Sequence, residues 1–302
     1  MRVSTSTINS MATGSVSNSY SKYLDVLNKI NSGKNFTKVS QNVPDATKVL
    51  KLDNQLNKLN DYQDNIKAAT NEMNLAYDVL GDITEQLNGI DSLILEASNA
   101  STTPESAKAI KTSIQSKLET IVDKMNSKYM DNYIFSGTFT EHQAYVINDD
   151  GTISYNGSPT KDGARNLTIS EGTTFTYNQT GESILGEDGA DSFFSQMKEL
   201  TELLDQDKLD YTKIREKLDI VDKTRSNVIN TQGTYSAKVS KLDTTLNINS
   251  DTINTLTGDK ADLEEIDIVK LATDLSNAMT NLQASYQVGT TVLSSASLLD
   301  YI

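Results

Sequence analysis

The chain has 302 residues, a formal net charge of −14 at pH 7 and no cysteine. The charge argues against nucleic acid or an anionic membrane surface as a partner, and the lack of cysteine excludes disulfides, thiolate catalysis and Cys-based metal sites. A hydrophobic content of 36%, with 6% aromatic residues, is low for one compact globule of this length and favours helical pairs or bundles with narrow cores.

The first twenty residues carry a single Arg and no continuous apolar segment, so we expect no cleaved secretory signal peptide. No run of about 18 apolar residues occurs, so we expect no membrane insertion. An N-terminal helix is predicted by apolar residues at alternating spacings of four and three, namely Val16, Tyr20, Tyr23, Leu27 and Ile30. The sequence NSGKN at 31–35 is expected to end this helix.

A long helix is predicted from Asp45 to Asn99, with a length of about 80 Å at about 1.5 Å per residue. Apolar residues recur at every seventh position in two columns, which indicates packing along a partner helix. The columns are Leu52, Leu59, Ile66, Met73, Leu80, Leu87 and Ile94, and Tyr62, Ala69, Ala76, Ile83, Ile90 and Ala97. A second helix is predicted to begin at Pro104 behind the N-cap Thr103, with one apolar face formed by Ile110, Ile114, Leu118, Ile121 and Met125.

The central segment is predicted to be rich in β-structure, because its residues alternate and include strand-type Thr, Ile, Phe and Tyr. Turns are concentrated there as well, since eight of the fifteen glycines lie between positions 137 and 189. Tyr133, Ile134 and Phe135 are expected to form the first strand. A hairpin is predicted around Asp150-Gly151, with a type I′ turn, and a second one in the sequence NLTISEGTTFTYNQTG.

The C-terminal half returns to helical spacing. One column consists of Ile214, Val221, Val228, Tyr235 and Leu242, and its flank includes the polar Arg225 and Gln232. Residues 256–265, which include Gly258, are expected to separate this helix from the last one. The last helix carries two columns, Ile268, Leu275 and Leu282, and Ala272, Met279, Tyr286 and Leu293.

The predicted fold is mainly α: an elongated, coiled-coil-like helical rod built from the N- and C-terminal halves, with a small central β-rich insert. The first helix is expected to pair with the last. The predicted domains are a terminal helical region of residues 1–41 and 261–302, a rod of residues 42–135 and 190–260, and an outer β-rich domain of residues 136–189.

The terminal helices contain too few large apolar residues to offset the entropy of ordering them, so we expect them to fold against other copies of the chain. The predicted assembly interface consists of Val16, Tyr20, Tyr23, Leu27, Ile30, Ile268, Leu275, Met279, Leu282, Tyr286 and Leu293.

No catalytic constellation is recognisable, and we expect no enzyme activity, cofactor or metal. The single histidine, His142, has no nucleophile elbow beside it and is interpreted as a residue of a surface turn. Asp149 and Asp150 lack the later ligands of a calcium loop. Glu264 and Glu265 are interpreted as carboxylates at the start of the last helix, where they would stabilise its dipole.

The chain resembles the flagellin superfamily, and within it the family of hook–filament junction proteins. The resemblance lies in four segments in family order, namely MRVSTSTINS at 1–10, INSGKNFTKVSQNVPDATKVLKLD at 30–53, NYIFSGTFTEHQAY at 132–145 and LQASYQVGTTVLSSASLLDYI at 282–302. Flagellin itself is similar at both ends, but YIFSG at 133–137 is more like the junction proteins.

This resemblance implies a structural component of the bacterial flagellum that joins hook to filament as an adaptor ring of identical subunits, assembled through the terminal helices. It further implies neighbouring hook-associated protein and flagellin subunits as partners, a cytoplasmic export chaperone at the C-terminal helix, and flagellar type III export to an extracellular location. Two alternatives stay open: a flagellin-type filament subunit, and a secreted binding or hydrolytic module in the β-rich insert.

Overall fold

A computed structural model describes residues 5–299 of the chain. The helices are α1 (Thr5–Ser32), α2 (Val43–Ala97), α3 (Pro104–Met125), α4 (Gly181–Leu185), α5 (Phe193–Leu203), α6 (Tyr211–Glu264) and α7 (Ile268–Leu299), with a 3₁₀ turn at Val39–Gln41. The strands are β1 (Lys128–Tyr129), β2 (Asn132–Tyr133), β3 (Tyr145–Ile147), β4 (Ile153–Tyr155), β5 (Asn166–Ser170) and β6 (Thr173–Thr176). The mainly α fold with a central β-rich insert is confirmed.

The chain divides into two compact units. One contains residues 59–250, and the other contains the chain up to residue 58 and from residue 251 onward. The division into terminal, rod and outer domains made from the sequence stays a prediction.

The unit of residues 59–250 is built on the predicted heptad columns. In α2, Ile66, Met73, Leu80, Leu87 and Ile94 are each at most 1% exposed. The predicted α6 column from Ile214 to Leu242 is buried as well. Regular seven-residue spacing keeps each column on one side of its helix, so the two helices bury a continuous seam.

Polar side chains fix how α6 runs along α2. Arg225 Nη1 donates to Asn88 Oδ1 at 3.1 Å, and Gln232 Nε2 donates to the Tyr77 carbonyl at 3.0 Å. The number of the α2 partner falls as that of the α6 residue rises, so the two helices are antiparallel. Arg225 and Gln232, the two polar residues on the predicted apolar flank of α6, therefore bind α2.

Helix α3 begins as predicted, with the Thr103 hydroxyl accepting from the Ser106 N–H and Pro104 in the first turn. Its apolar face is buried from Ile110 to Met125. Lys117 Nζ donates to Gln86 Oε1 at 3.3 Å, so α3 packs along the C-terminal part of α2.

Three antiparallel hairpins follow α3, pairing β1 with β2, β3 with β4, and β5 with β6. The last two hairpins belong to the β-rich insert. It does not have a core of its own. Tyr145, Ile169 and Phe175 belong to the same buried cluster as the heptad residues of α2 and α6.

Side chains of the helices bind the β5–β6 hairpin directly. Asn65 Nδ2 of α2 donates to the Thr168 carbonyl at 3.2 Å, and Asn249 Nδ2 of α6 donates to the Ile169 carbonyl at 3.4 Å. Arg165 forms a largely buried ion pair with Glu72 of α2. Burial raises the pKa of Glu72, against the opposing effect of the Arg165 guanidinium.

Two predictions about the strands are wrong. The first strand is β1, and Ile134 and Phe135 lie beyond β2 as buried residues outside any strand. The turn at Asp150-Gly151 is not type I′, because only Gly151 has a positive φ, of 74°. The Gly151 N–H donates to the Asn148 carbonyl at 2.9 Å, as in a type I turn followed by a bulged glycine.

The break before the last helix was also placed wrongly. Helix α6 continues through Gly258 to Glu264, because a single glycine lowers helix stability by only about 1 kcal/mol. Glu264 therefore ends α6, and the N-cap of α7 is Asp267, whose Oδ1 accepts from the N–H groups of Val269 and Lys270 at 3.0 Å. The dipole role predicted for Glu264 and Glu265 is wrong.

The shared core predicts that a cavity in the insert destabilises the helices. Phe175→Ala should lower the free energy of unfolding by about 3–5 kcal/mol, because Phe175 is buried. Thr174→Ala, at the exposed neighbouring position, should change it by less than about 0.5 kcal/mol. Urea unfolding followed by helical circular dichroism measures both, and an unchanged helical transition in Phe175→Ala would show that the insert folds separately.

Candidate assembly interface

Helices α1 and α7 pack against each other as an antiparallel pair. The hydroxyls of Ser19 and Ser285 are 2.8 Å apart, and a β-carbon on Gly289 would lie 3.6 Å from Val16 Cγ2. The predicted pairing of the first helix with the last is confirmed.

Small residues form much of the contact between these two helices. Ala12 and Ser19 of α1, and Ala278 and Ser285 of α7, are half-buried at heptad spacing. No described side chain of α1 is fully buried, and the buried residues described in α7 are Leu271 and Gly289. The pair therefore buries little apolar area within one chain.

Two open depressions follow the α1/α7 pair. A groove of about 780 Å³ is lined mainly by polar and small side chains, including Ser15, Lys22, Asp25, Asn277 and Asn281. The second, of about 490 Å³, lies where α1 ends and α7 begins, and its lining includes Ile30, Ile266, Ile268, Ala272 and Leu275. The second depression is the more apolar of the two.

The residues predicted to form an assembly interface fall into two groups. Val16, Tyr23, Leu27, Leu275 and Leu282 are half-buried. The others described are Tyr20, Ile30, Ile268, Met279 and Tyr286, with exposed fractions of 47%, 37%, 72%, 46% and 51%. The side chain of Leu293 lies outside the described residues.

Other exposed apolar residues of the pair were missed. Met11, Val269 and Val288 are 68%, 79% and 61% exposed. Val269 and Val288 lie off the two heptad columns of α7, so periodicity gave no signal for them. Met11 precedes the four-three spacing that was recognised in α1.

The connections that join this pair to the long helices lie side by side. The Asn35 N–H donates to the Glu264 carbonyl at 2.7 Å, and Lys34 Nζ contacts Glu264 Oε2 at 3.0 Å. Nearby, Lys260 Nζ donates to Asp53 Oδ1 at 2.6 Å, and this hydrogen bond raises the pKa of Lys260. These contacts tie the two chain connections to each other at the base of the pair.

Among the described residues, the His142 side chain makes no hydrogen bond or ion pair. Its ring is exposed and lies edge-on to Phe139, with centroids 6.3 Å apart. Among residues 5–299 no three acidic or histidine side chains are placed to hold a metal ion. Within the same range, no helix is both long and apolar enough to cross a bilayer.

These features define a mainly helical protein whose first and last helices pair with each other and leave large apolar side chains exposed. The family model for the bacterial flagellin N-terminal helical region matches residues 3–140. For this N-terminal region, the match confirms the resemblance to the flagellin superfamily that the sequence indicated. A search among curated proteins finds no match to the chain.

Solved structures of flagellar proteins have a similar fold. A protein of Vibrio parahaemolyticus described as a flagellar hook-associated protein matches with a TM-score of 0.68 at 21% identity, over 74% of this chain and 100% of that one. Hook-associated protein-3 of Legionella pneumophila matches with a TM-score of 0.64 at 14% identity, over 71% and 98%. FlgL of Bacillus cereus matches with a TM-score of 0.57 at 20% identity, over 70% and 99%.

The small burial in the α1/α7 pair predicts weak protection of its backbone in the isolated chain. In dilute protein, amide hydrogen exchange in α1 and α7 should be about 100-fold faster or more than in residues 66–97 of α2, because helices with few buried contacts open locally. Mass spectrometry of peptides measures both regions in one sample. Equal protection of the two regions would contradict a marginal terminal pair.

Proposed function

We propose that this chain is a structural subunit of the bacterial flagellum that joins the hook to the filament. It assembles with identical copies into an adaptor ring through α1 and α7. The flagellin-type N-terminal region and the fold shared with hook-associated proteins support the flagellar assignment. Two of the similar solved structures are hook-associated proteins, and this likeness supports the position along the flagellum.

The observation that carries the proposal is the exposed apolar flank of α7. Ile268, Met279 and Tyr286, together with Ala272, recur at spacings of four and seven and follow one side of the helix. Leu275 and Leu282 are half-buried in the pair with α1. The apolar stripe of α7 is therefore wider than the contact with one partner helix requires.

Burial of this flank against another subunit would stabilise the terminal pair. Covering a side chain the size of Met contributes about 1.5–3 kcal/mol, while ordering the backbone costs about 1–2 kcal/mol per residue. A helix pair that buries few side chains gains most from additional contacts. Assembly would therefore supply the apolar burial that the single chain lacks.

Before assembly, the same flank needs protection in the cytoplasm. An export chaperone that covers α7 would prevent premature association, and the chain would then leave through the flagellar type III apparatus to its extracellular position. In the ring, neighbouring hook-associated protein and flagellin subunits would contact the remaining exposed side chains. The function is structural, without a catalysed reaction.

Substitution of the exposed flank tests the proposal. Met279→Asp combined with Tyr286→Asp places two charges where neighbours would pack, and each unpaired buried charge costs several kcal/mol. We expect loss of swimming, with hooks present and filament subunits released into the medium. Leu275 and Leu282 are poorer targets, because charges there would also disrupt the contact with α1.

The matched control is Thr280→Asp combined with Gln287→Asp. These exposed polar positions each follow one residue after the flank positions and lie about 100° further around the helix. The control adds the same charge and should retain substantially more swimming. Normal swimming of the flank variant, with the protein detected at the cell exterior, would overturn the proposal.

Polymerisation of the purified chain distinguishes a flagellin-type filament subunit from a junction subunit. A junction subunit should not form long filaments alone, since its proposed partners above and below are different proteins. Long filaments from the chain alone would favour a flagellin-type subunit.

A further inference from the structure

The chain contains two Asn-Gly pairs, Asn88-Gly89 and Asn156-Gly157, in different backbone settings. Both asparagines are exposed and both glycines are half-buried, so water reaches the two pairs to a similar degree. Asn88 and Gly89 lie inside α2, whereas Asn156 and Gly157 follow the end of β4 in an irregular segment. The pairs therefore differ mainly in how the backbone is held.

An Asn-Gly pair can form a cyclic imide when the glycine amide nitrogen attacks the asparagine side chain. At Asn156 neither of these two groups makes a hydrogen bond within residues 5–299. Within the described residues the Asn156 side chain makes no hydrogen bond, and the Gly157 N–H has no acceptor. The Asn156 backbone N–H is held, because it donates to the Ala144 carbonyl at 2.8 Å. Glycine lacks the side chain that would otherwise hinder attack by its own amide nitrogen.

At Asn88 the same two groups are held in hydrogen bonds. The Asn88 side-chain oxygen accepts from Arg225 Nη1 at 3.1 Å. The Gly89 N–H lies in the interior of α2, where helix geometry directs it to the carbonyl four residues earlier. Reaction there first requires local opening of a helix that packs in the core.

We infer that Asn156 is a site of spontaneous deamidation, and that Asn88 is protected by α2. The Gly157 amide nitrogen attacks the side-chain carbonyl carbon of Asn156, a new C–N bond forms, and the side-chain nitrogen leaves as ammonia with the amide proton. Water then opens the cyclic imide at either carbonyl and yields aspartate or isoaspartate. The net reaction consumes one water, releases ammonia and adds one negative charge.

The isoaspartate product has a structural consequence for the insert, because it adds a methylene to the backbone before Gly157. The α-carbon of Gly157 is closely packed on the side where a β-carbon would project, since such an atom would lie 2.8 Å from Ser136 Cα and 2.4 Å from the Tyr155 hydroxyl oxygen. The next residue, Ser158, donates its N–H to the Ser136 carbonyl at 2.9 Å. Isoaspartate would displace the hydrogen bond between Ser158 and Ser136, whereas Asn156→Asp preserves the backbone length.

Peptide mapping by mass spectrometry of the purified full chain, incubated at mildly alkaline pH, tests the inference. In the folded protein, conversion at Asn156 should be about 100-fold faster or more than at Asn88, because reaction in a packed helix requires its opening. In urea the two rates should agree within a few-fold, since both pairs are then unfolded. Comparable rates at the two sites in the folded protein would overturn the inference.

Two variants, Asn156→Gln and Asn156→Asp, serve as controls in this experiment. Asn156→Gln should abolish the rapid conversion, because the longer side chain cyclises far more slowly, and it leaves an exposed amide in place. Gly157→Ala is unsuitable because its β-carbon would clash with Tyr155. Aged wild-type protein that contains isoaspartate should show faster amide exchange at Ser158 than Asn156→Asp does. Rapid mass conversion that persists in Asn156→Gln would assign the reaction to another residue and contradict the inference.

Discussion

The antiparallel seam between α2 and α6 is the contact on which the rest of the unit of residues 59–250 depends. Its columns from Ile66 to Ile94 and from Ile214 to Leu242 are almost completely buried. Apolar columns alone tolerate a shift by one heptad, but the bonds of Arg225 and Gln232 to α2 would be lost in a shifted pairing. Helix α3 and the hairpins of the insert pack onto this seam, so the ion pair of Glu72 with Arg165 also requires its correct register.

The α1/α7 pair, in contrast, buries few large apolar side chains. Much of its contact uses alanine, serine and glycine, Leu275 and Leu282 are only half-buried, and the larger residues Met279 and Tyr286 stay exposed. A seam of small residues lets two helices approach closely but contributes little apolar burial. This difference separates a unit that is stable within one chain from a pair suited to stabilisation by neighbouring copies. The proposed assembly through α1 and α7 rests on this difference and on the exposed flank of α7.

Much of the fold could be predicted because seven-residue spacing persists through α2 and α6. The ends of the helices were harder to predict, because a solvated glycine such as Gly258 is tolerated within a long helix that tertiary contacts support. The turn at Asp150 could not be typed, because Asp-Gly fits both a type I′ turn and a type I turn with a bulged glycine. In the candidate interface, periodicity identified Met279 and Tyr286 but not Val269 or Val288, which lie outside the columns.

Electron cryo-microscopy of the hook–filament junction in intact flagella tests the assembly claim most directly. The proposed function predicts a ring of this chain between hook and filament, with Met279 and Tyr286 of each copy buried against a neighbouring subunit. A map in which both side chains face solvent, or in which this chain is absent from the junction, would contradict it.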